Sequence, residues 1–335
     1  MKQSEKEASE KIMELLIAGW INQPLYAITK LGIPDILSGG PKTVDEISQI
    51  TETHAPVLYR ILRALASIGF FHEEENQIFG LTPMGKILQE GKMQPIVLMF
   101  LSEWHSRAWG NLFHSVKTGD IPFDSAFGMP CFEWFKKNPE AADIFNKANE
   151  TKAITSHIEI TNVYDFSNVN LIVDIGGGYG GLLFHVLQTN PHMNGTVADL
   201  AYMKEKVEDQ IYAMNLSARC VFAECDFFKK IPLGSDCYVL SNILHDWDDD
   251  TCEIILKNCS NAMRPDAKLL IIESIIPGRN EFSIACLLDI EVLVMGGGKE
   301  RTEIEFRNLL DRSGFNLDQI IKTRESISIL ECTKH

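Results

Sequence analysis

His245 and Asp246 follow the β-prone run DCYVLSNIL, and Glu273 interrupts a second apolar run, LLIIESII. An ionised glutamate inside an apolar strand is costly unless it meets a partner, and His245, at the carboxyl edge of the same sheet, is the obvious one. An imidazole oriented by a buried carboxylate is a general base for a hydroxyl, a group too weakly acidic to ionise alone near neutral pH. Glu305 is a weaker candidate, because Thr302-Glu303-Ile304-Glu305 reads as a capping box that explains the glutamate without catalysis. Asp248, Asp249 and Asp250 likewise suit a helix start. None of the nine histidines shows a ligand spacing such as H-x-x-x-H, so no metal site is expected.

A second constellation is LIVDIGGGYGG, residues 171–181. Gly176, Gly178 and Gly181 fit G-x-G-x-x-G, a dinucleotide pattern, while Gly176, Gly178 and Gly180 fit G-x-G-x-G, which suggests S-adenosylmethionine. The neighbouring acids discriminate. Asp174, inside the strand, would repel a pyrophosphate but helps to hold a cationic ligand. Asp199 ends the next strand, TVADL, where it is placed to accept ribose hydroxyls, with Leu200 beside it. Asp226 and Phe227 in ECDFF end the third, where an adenine would lie. Each acid also has a plainer reading as a cap or loop carboxylate. Taken together they favour the sulfonium cofactor.

The elements that must position these groups follow from periodicity. From Leu171 onward, β-branched runs alternate with helical stretches: LIVDI, NGTVADL, CVFAECDFF, DCYVLSNIL, KLLIIESII and SISILECT are strands separated by helices such as LLFHVLQTN and TCEIILKNCSNAM. This pattern predicts an α/β, doubly wound, mostly parallel sheet with ligands beyond the strands' carboxyl ends. The first half is helical. Thr43 and Glu46 form a capping box opening VDEISQIT, a second helix runs through VLYRILRALASIG, and FFHEE and QIFGL flank Glu75-Asn76 as a hairpin, which together outline a winged helix. The boundaries expected are 1–100 for that helical domain, 101–164 for a helical linker, and 165–335 for the sheet domain.

Composition narrows the function classes. The chain has 335 residues, 45% hydrophobic and 23% charged, with a net charge of -15. That charge opposes a phosphate backbone, and the candidate recognition helix offers only Arg60 and Arg63, so nucleic acid is not an expected partner and a winged-helix regulator is the lesser reading. No apolar run approaches the roughly 20 residues of a membrane span, and the N-terminus MKQSEKEASEKIMELL is charged rather than a signal peptide, so a cytoplasmic protein is expected. The eight cysteines contain no C-x-x-C pair and read as reduced, mostly buried thiols.

The segments LIVDIGGGYGG, DFFKKIPLGSDCYVLSNILHDWDDD, LLIIESIIPG and GGGKERTEIEFRNLLDRSGF, in this order, resemble the signatures of S-adenosylmethionine-dependent O-methyltransferases of the caffeate and hydroxyindole type, which include bacterial antibiotic and pigment enzymes. The N-terminal segments LGIPDILSGGPKTVDEIS and RILRALASIGFF are similar to that family's dimerisation domain. The resemblance implies a Rossmann-like catalytic domain behind a winged-helix dimerisation domain, a homodimer, and transfer of a methyl group to a hydroxyl of a small aromatic or polycyclic metabolite. It implies His245 as the base, Glu273 and Glu305 as carboxylates that orient it, and Asp174, Gly176, Gly178, Asp199, Leu200, Asp226, Phe227, Ser241 and Trp247 around the cofactor. Ser241 stands where plant members often carry lysine, and Asn149 where many relatives carry methionine. Trp104, Phe145, Asn149, Asp246, Asp289 and Met295 are the candidates for the acceptor pocket. Methylation of carbon or nitrogen, or a different reaction on the same fold, stays open as the alternative.

Overall fold

Reciprocal capping starts the first helix. In the computed structural model, which describes residues 4–324 and 326–335, Ser4 and Glu7 cap the helix Glu5–Lys30; Met1–Gln3 of the charged N-terminal segment lie outside the described residues. Thr43 and Glu46 make the expected capping box, Glu46 accepting from the Thr43 amide at 2.8 Å, and open the helix Val44–Ile50. Strand β1 (Lys42–Thr43) pairs with β3 (Ile78–Leu81), which forms a hairpin with β2 (Phe71–Glu74) behind the helix Ala55–Ser67. Asn76 takes the turn at φ 61°, a left-handed conformation that asparagine tolerates. Ile28, Ile47, Leu62, Leu65, Phe71 and Phe79 fill the core of this winged-helix outline.

The chain divides into two interleaved units, 1–107 with 135–151 and 108–134 with 152–335. The segment expected as a linker, 101–164, is thus shared between them. In the second unit, strands β4 (Leu171–Ile175), β5 (Asn194–Asp199), β6 (Cys220–Glu224), β7 (Cys237–Ser241) and β8 (Lys268–Ile276) run parallel in the order β6-β5-β4-β7-β8. The two-residue β9 (Arg301–Thr302) adds to the end of β8. β10 (Phe315–Lys322) and β11 (Ile327–Lys334) close the edge as an antiparallel hairpin. β10 was not visible in the sequence pattern: it is an edge strand with a register shift after Leu317, and Asn316, Asp318 and Gln319 give it the composition of a loop.

Strand residues alternate between two helix layers, as a doubly wound sheet requires. Val173, Ile175, Leu240 and Ile271 pack with Ile255, Leu256 and Leu309 on one face, and Ile172, Val197, Val239 and Ile272 pack with Leu183, Leu187 and Val207 on the other. Seven of the eight cysteines are buried free thiols, Cys252 and Cys259 among them in the core; Cys286 is exposed. Connections diverge between β4 and β7, the switch point at which such sheets bind ligands. No helix among the described residues is long and apolar enough to cross a membrane.

The helix Glu5–Lys30 leaves Ile12, Met13, Leu15, Leu16 and Trp20 each more than half exposed, an apolar face larger than monomers usually present. Light scattering at micromolar concentration should therefore give a dimer, twice 37.7 kDa, and the double variant Leu16→Asp, Trp20→Asp should shift it to monomer. A monomeric wild type would contradict this role for the helix.

Candidate active site

Backbone geometry at the end of β4 leaves room only for glycine. Gly176 has φ 66°, and a Cβ there would lie 2.6 Å from the Ile243 side chain and 3.5 Å from the Phe227 ring. Gly178, at φ 57°, donates its N–H to Asp199 at 2.8 Å, and the Leu200 amide donates to the other oxygen of the same carboxylate. Asp174 is buried beneath the loop, aimed so that a Cβ on Gly177 would come within 2.9 Å of its carboxyl group. Burial, with the nearby charge of Asp199, raises Asp174 to about 7; burial also raises Asp199, while the two amides pull it back. The Gly178 N–H, which could serve a pyrophosphate, is taken by a carboxylate. This cradle fits a cationic nucleoside ligand better than a dinucleotide.

Of the remaining cofactor candidates, Phe227 lies against Gly176, and the others lie at or after the carboxyl ends of β5, β6 and β7. Phe227 stacks edge-on with Phe228, whose ring meets Trp247 at 4.9 Å. Asp226 accepts from Lys229 at 2.7 Å and from the Phe228 amide at 3.1 Å; the lysine holds its carboxyl below the usual range. Ser241 ends β7, and Leu200 is exposed beyond β5. Ile243, which the sequence reading did not single out, is the side chain that presses on Gly176.

After β7 the chain makes a single helical turn, Leu244–Asp246, that presents the imidazole. Glu273, fully buried on β8, accepts from the Ile243 and Leu244 amides at 3.0 and 2.9 Å through one oxygen, and its second oxygen lies 3.5 Å from His245 Nδ1. Glu300, also buried, approaches the same nitrogen at 3.0 Å. The hydrogen bond to Glu300, with the Glu273 charge 3.5 Å away, favours a proton on Nδ1 and leaves Nε2 as the basic site. Asp246 lies 3.6 Å from Nε2, with its own carboxyl raised by burial. Burial would lower the imidazole, but Glu273, Asp246 and Glu300 outweigh it and bring His245 from 6.5 up to about 10. The folded-state value is thus raised, so the protonated ring stabilises the fold fully below pH 6.5, and that contribution is lost as pH rises through about 10. Burial raises Glu273 as well, offset in part by the imidazolium.

Glu305 does not sit on the ring. Its carboxylate accepts from the Thr302 amide and hydroxyl, both at 2.8 Å, and lies 4.0 Å from the Lys299 ammonium, while Glu300 occupies the place beside His245. The capping box read from the sequence accounts for Glu305, as its plainer reading held. Glu300 was missed because β9, which delivers it, is two residues long and leaves no periodic signal; its pairing with β8, the strand of Glu273, is what brings the two acids together. Asp289 reaches the site indirectly, accepting the Glu300 amide at 2.9 Å, and Met295 lies half-buried on the same helix, Ile284–Gly296. Trp104 and Phe145 belong to the other unit, where both pack on Phe135, at 5.3 and 4.8 Å between ring centres; Asn149 is half-buried there on the helix Pro139–Val163.

Comparison with known proteins finds matches across both halves of the chain. Residues 109–316 match the O-methyltransferase domain and residues 13–91 the O-methyltransferase dimerisation domain. The chain belongs to the O-methyltransferase family. It is 37% identical over 328 residues to a phenazine O-methyltransferase of Lysobacter antibioticus, covering 96% of this chain and 95% of that protein. The solved structure of a mitomycin 7-O-methyltransferase matches with a TM-score of 0.92 at 32% identity, covering 98% of each chain. An O-methyltransferase from neocarzinostatin biosynthesis, solved with S-adenosylmethionine and 2-hydroxy-5-methyl naphthoic acid, matches with a TM-score of 0.81 at 27% identity over 94% of this chain and 96% of that one. The cofactor of this methyltransferase is S-adenosylmethionine, and its winged-helix segment is a dimerisation domain.

The carboxylate of Asp199 anchors the glycine loop through one charge-assisted hydrogen bond, from the Gly178 N–H, while its other oxygen accepts from the Leu200 amide. Asp199→Ala should weaken binding of S-adenosylhomocysteine about 10- to 100-fold by calorimetry, the range expected for losing hydrogen bonds to a charged group. Tight binding of NAD with no response to S-adenosylhomocysteine would overturn the reading of the loop.

Proposed function

We propose that this methyltransferase acts on a hydroxyl of a small aromatic or polycyclic metabolite, with His245 as the general base. The observation that carries the mechanism is the pinning of His245 Nδ1 by Glu300 at 3.0 Å and Glu273 at 3.5 Å, which leaves Nε2 to take a proton. The relatives named for phenazine and mitomycin substrates support a flat, polycyclic acceptor. When bound, S-adenosylmethionine supplies a methyl group activated by a positive sulfonium, whose charge also favours the neutral form of a nearby imidazole.

The other roles belong to the chain itself. Asp174, Asp199 and Leu200 would hold the cofactor's polar and ribose parts under the glycines, Asp226, Phe227, Ser241 and Trp247 would flank its base and tail, and Asp289 and Met295 would lie on the acceptor side of the same unit. Asp246 lies 3.6 Å from Nε2, the nitrogen that would take the hydroxyl proton. Glu273 and Glu300 stabilise the imidazolium formed when Nε2 takes the proton, and Glu305 contributes by capping the helix Glu303–Arg312. Positioning an acceptor oxygen against the cofactor's methyl group would contribute by proximity, worth up to about 7 to 11 kcal/mol in favourable cases. A cytoplasmic enzyme is consistent with free, mostly buried thiols.

His245→Ala should lower turnover on a phenolic acceptor about 10²- to 10⁴-fold while leaving S-adenosylhomocysteine binding nearly intact. A histidine held protonated up to about pH 10 gains its basic form as pH rises, so wild-type kcat should climb from pH 7 towards pH 9, and the variant should lack that limb. Excess EDTA should leave the wild-type rate unchanged. Full activity of the variant, or loss of activity with EDTA restored by magnesium, would remove the general-base mechanism.

A further inference from the structure

Beneath the catalytic turn lies a fully buried arginine that no part of the base mechanism uses. Arg301, on β9, donates from Nη1 to the Leu244 carbonyl at 2.9 Å and from Nη2 to the Trp247 carbonyl at 2.8 Å, the two carbonyls that bracket His245 and Asp246. Its remaining donors go to Asp249, at 3.0 and 2.9 Å, to Cys252 Sγ at 3.4 Å and to the Lys299 carbonyl at 3.4 Å. A buried guanidinium is tolerated only when its charge and its fork of donors are satisfied, and here every bond except the long one to Lys299 is directed at the turn or at the helix that follows it.

The same segment grips the turn from a second side. The Lys299 amide donates to the His245 carbonyl at 2.9 Å, and Gly298 lies so close that a Cβ there would stand 2.0 Å from that carbonyl oxygen and 3.0 Å from Asp246 backbone atoms. Gly298 is not among the residues with positive φ, so its lack of a side chain answers a need for contact and not for backbone freedom. Between Gly298 and Arg301 sits Glu300, the carboxylate at 3.0 Å from Nδ1.

We infer that Gly298–Arg301 is a clasp in which Arg301 is the positioning residue for His245: its guanidinium fixes the main chain on both sides of the histidine so that the ring keeps its contact with Glu300. The inference rests on His245 acting as the base. Lysine cannot reproduce a planar fork that bridges two carbonyls and a carboxylate, so Arg301→Lys loosens the turn while keeping the charge. Gly298→Ala opens the clasp from the other side and leaves Arg301 in place.

Both variants are to be assayed as full-length protein, with S-adenosylmethionine and a phenolic acceptor, for kcat, for KM of the cofactor and for the pH dependence of kcat. A base displaced by a fraction of an ångström to one ångström should lose about 10- to 100-fold in kcat, with the cofactor KM changed by less than about 3-fold. As the ring parts from Glu300, its affinity for the proton falls, so the rising limb of kcat should move to lower pH, a change that a merely stabilising arginine would not produce. Should Arg301→Lys fail to fold, Gly298→Ala decides. Wild-type kcat and an unmoved limb in a folded variant would overturn the clasp. His245→Ala run in parallel separates the two failures: if it keeps wild-type kcat, the base assignment falls and the clasp with it, whereas if it is inactive while the clasp variants behave as wild type, only the positioning role falls.

Discussion

Two carboxylates buried against one nitrogen of an imidazole would repel each other and lose their hydration, so the site stands only because other groups hold them there. Glu273 is compensated by two backbone amides of the turn and by the imidazole, and the Glu300 main chain is held by Asp289. One oxygen of each glutamate still has no hydrogen-bond partner. Such a cluster is costly in isolation and becomes tolerable when the histidine carries a proton, which is why the imidazole is driven upward and why the same groups that stabilise the resting state also stabilise the imidazolium of turnover.

That constraint explains the layout of the sheet's carboxyl end. β7 supplies the turn with His245, β8 supplies Glu273, and β9 exists as a short extension of β8 that brings Glu300 alongside. On the other side of the switch point, β4 and β5 supply the glycine loop and its two acids. Ile243 joins the two halves, since the residue that presses on Gly176 is two positions before the base. The cofactor cradle and the proton acceptor are thus placed by neighbouring parallel strands of one rigid core, and their spacing is set by strand pairing.

Much of this was legible in the sequence, for reasons that can be named. The β-branched runs of β4, β7 and β8 are buried on both faces and read as strands without tertiary information. Thr43 with Glu46 and Thr302 with Glu305 read as capping boxes because the signal is local, and Glu273 stood out because a carboxylate in an apolar strand demands a partner. Glu300 and Arg301 did not stand out: a two-residue strand has no period, and KER inside a polar loop looks like a solvated stretch, although both side chains are buried. β10 was hidden by the polar composition an edge strand carries, and the sharing of 101–164 between the two units depends on packing that no local pattern encodes.

In this geometry Glu300 and Glu273 keep the proton of His245 on Nδ1 and leave Nε2 as the site that exchanges it. Nitrogen-15 NMR of histidine-labelled protein, with the His245 signals assigned by their loss in His245→Ala, tests this directly. The expected result is an Nδ1 that stays protonated throughout the titration and an Nε2 that loses its proton with a midpoint well above the ordinary 6.5. A neutral ring protonated on Nε2, or a midpoint at the ordinary value, would contradict it.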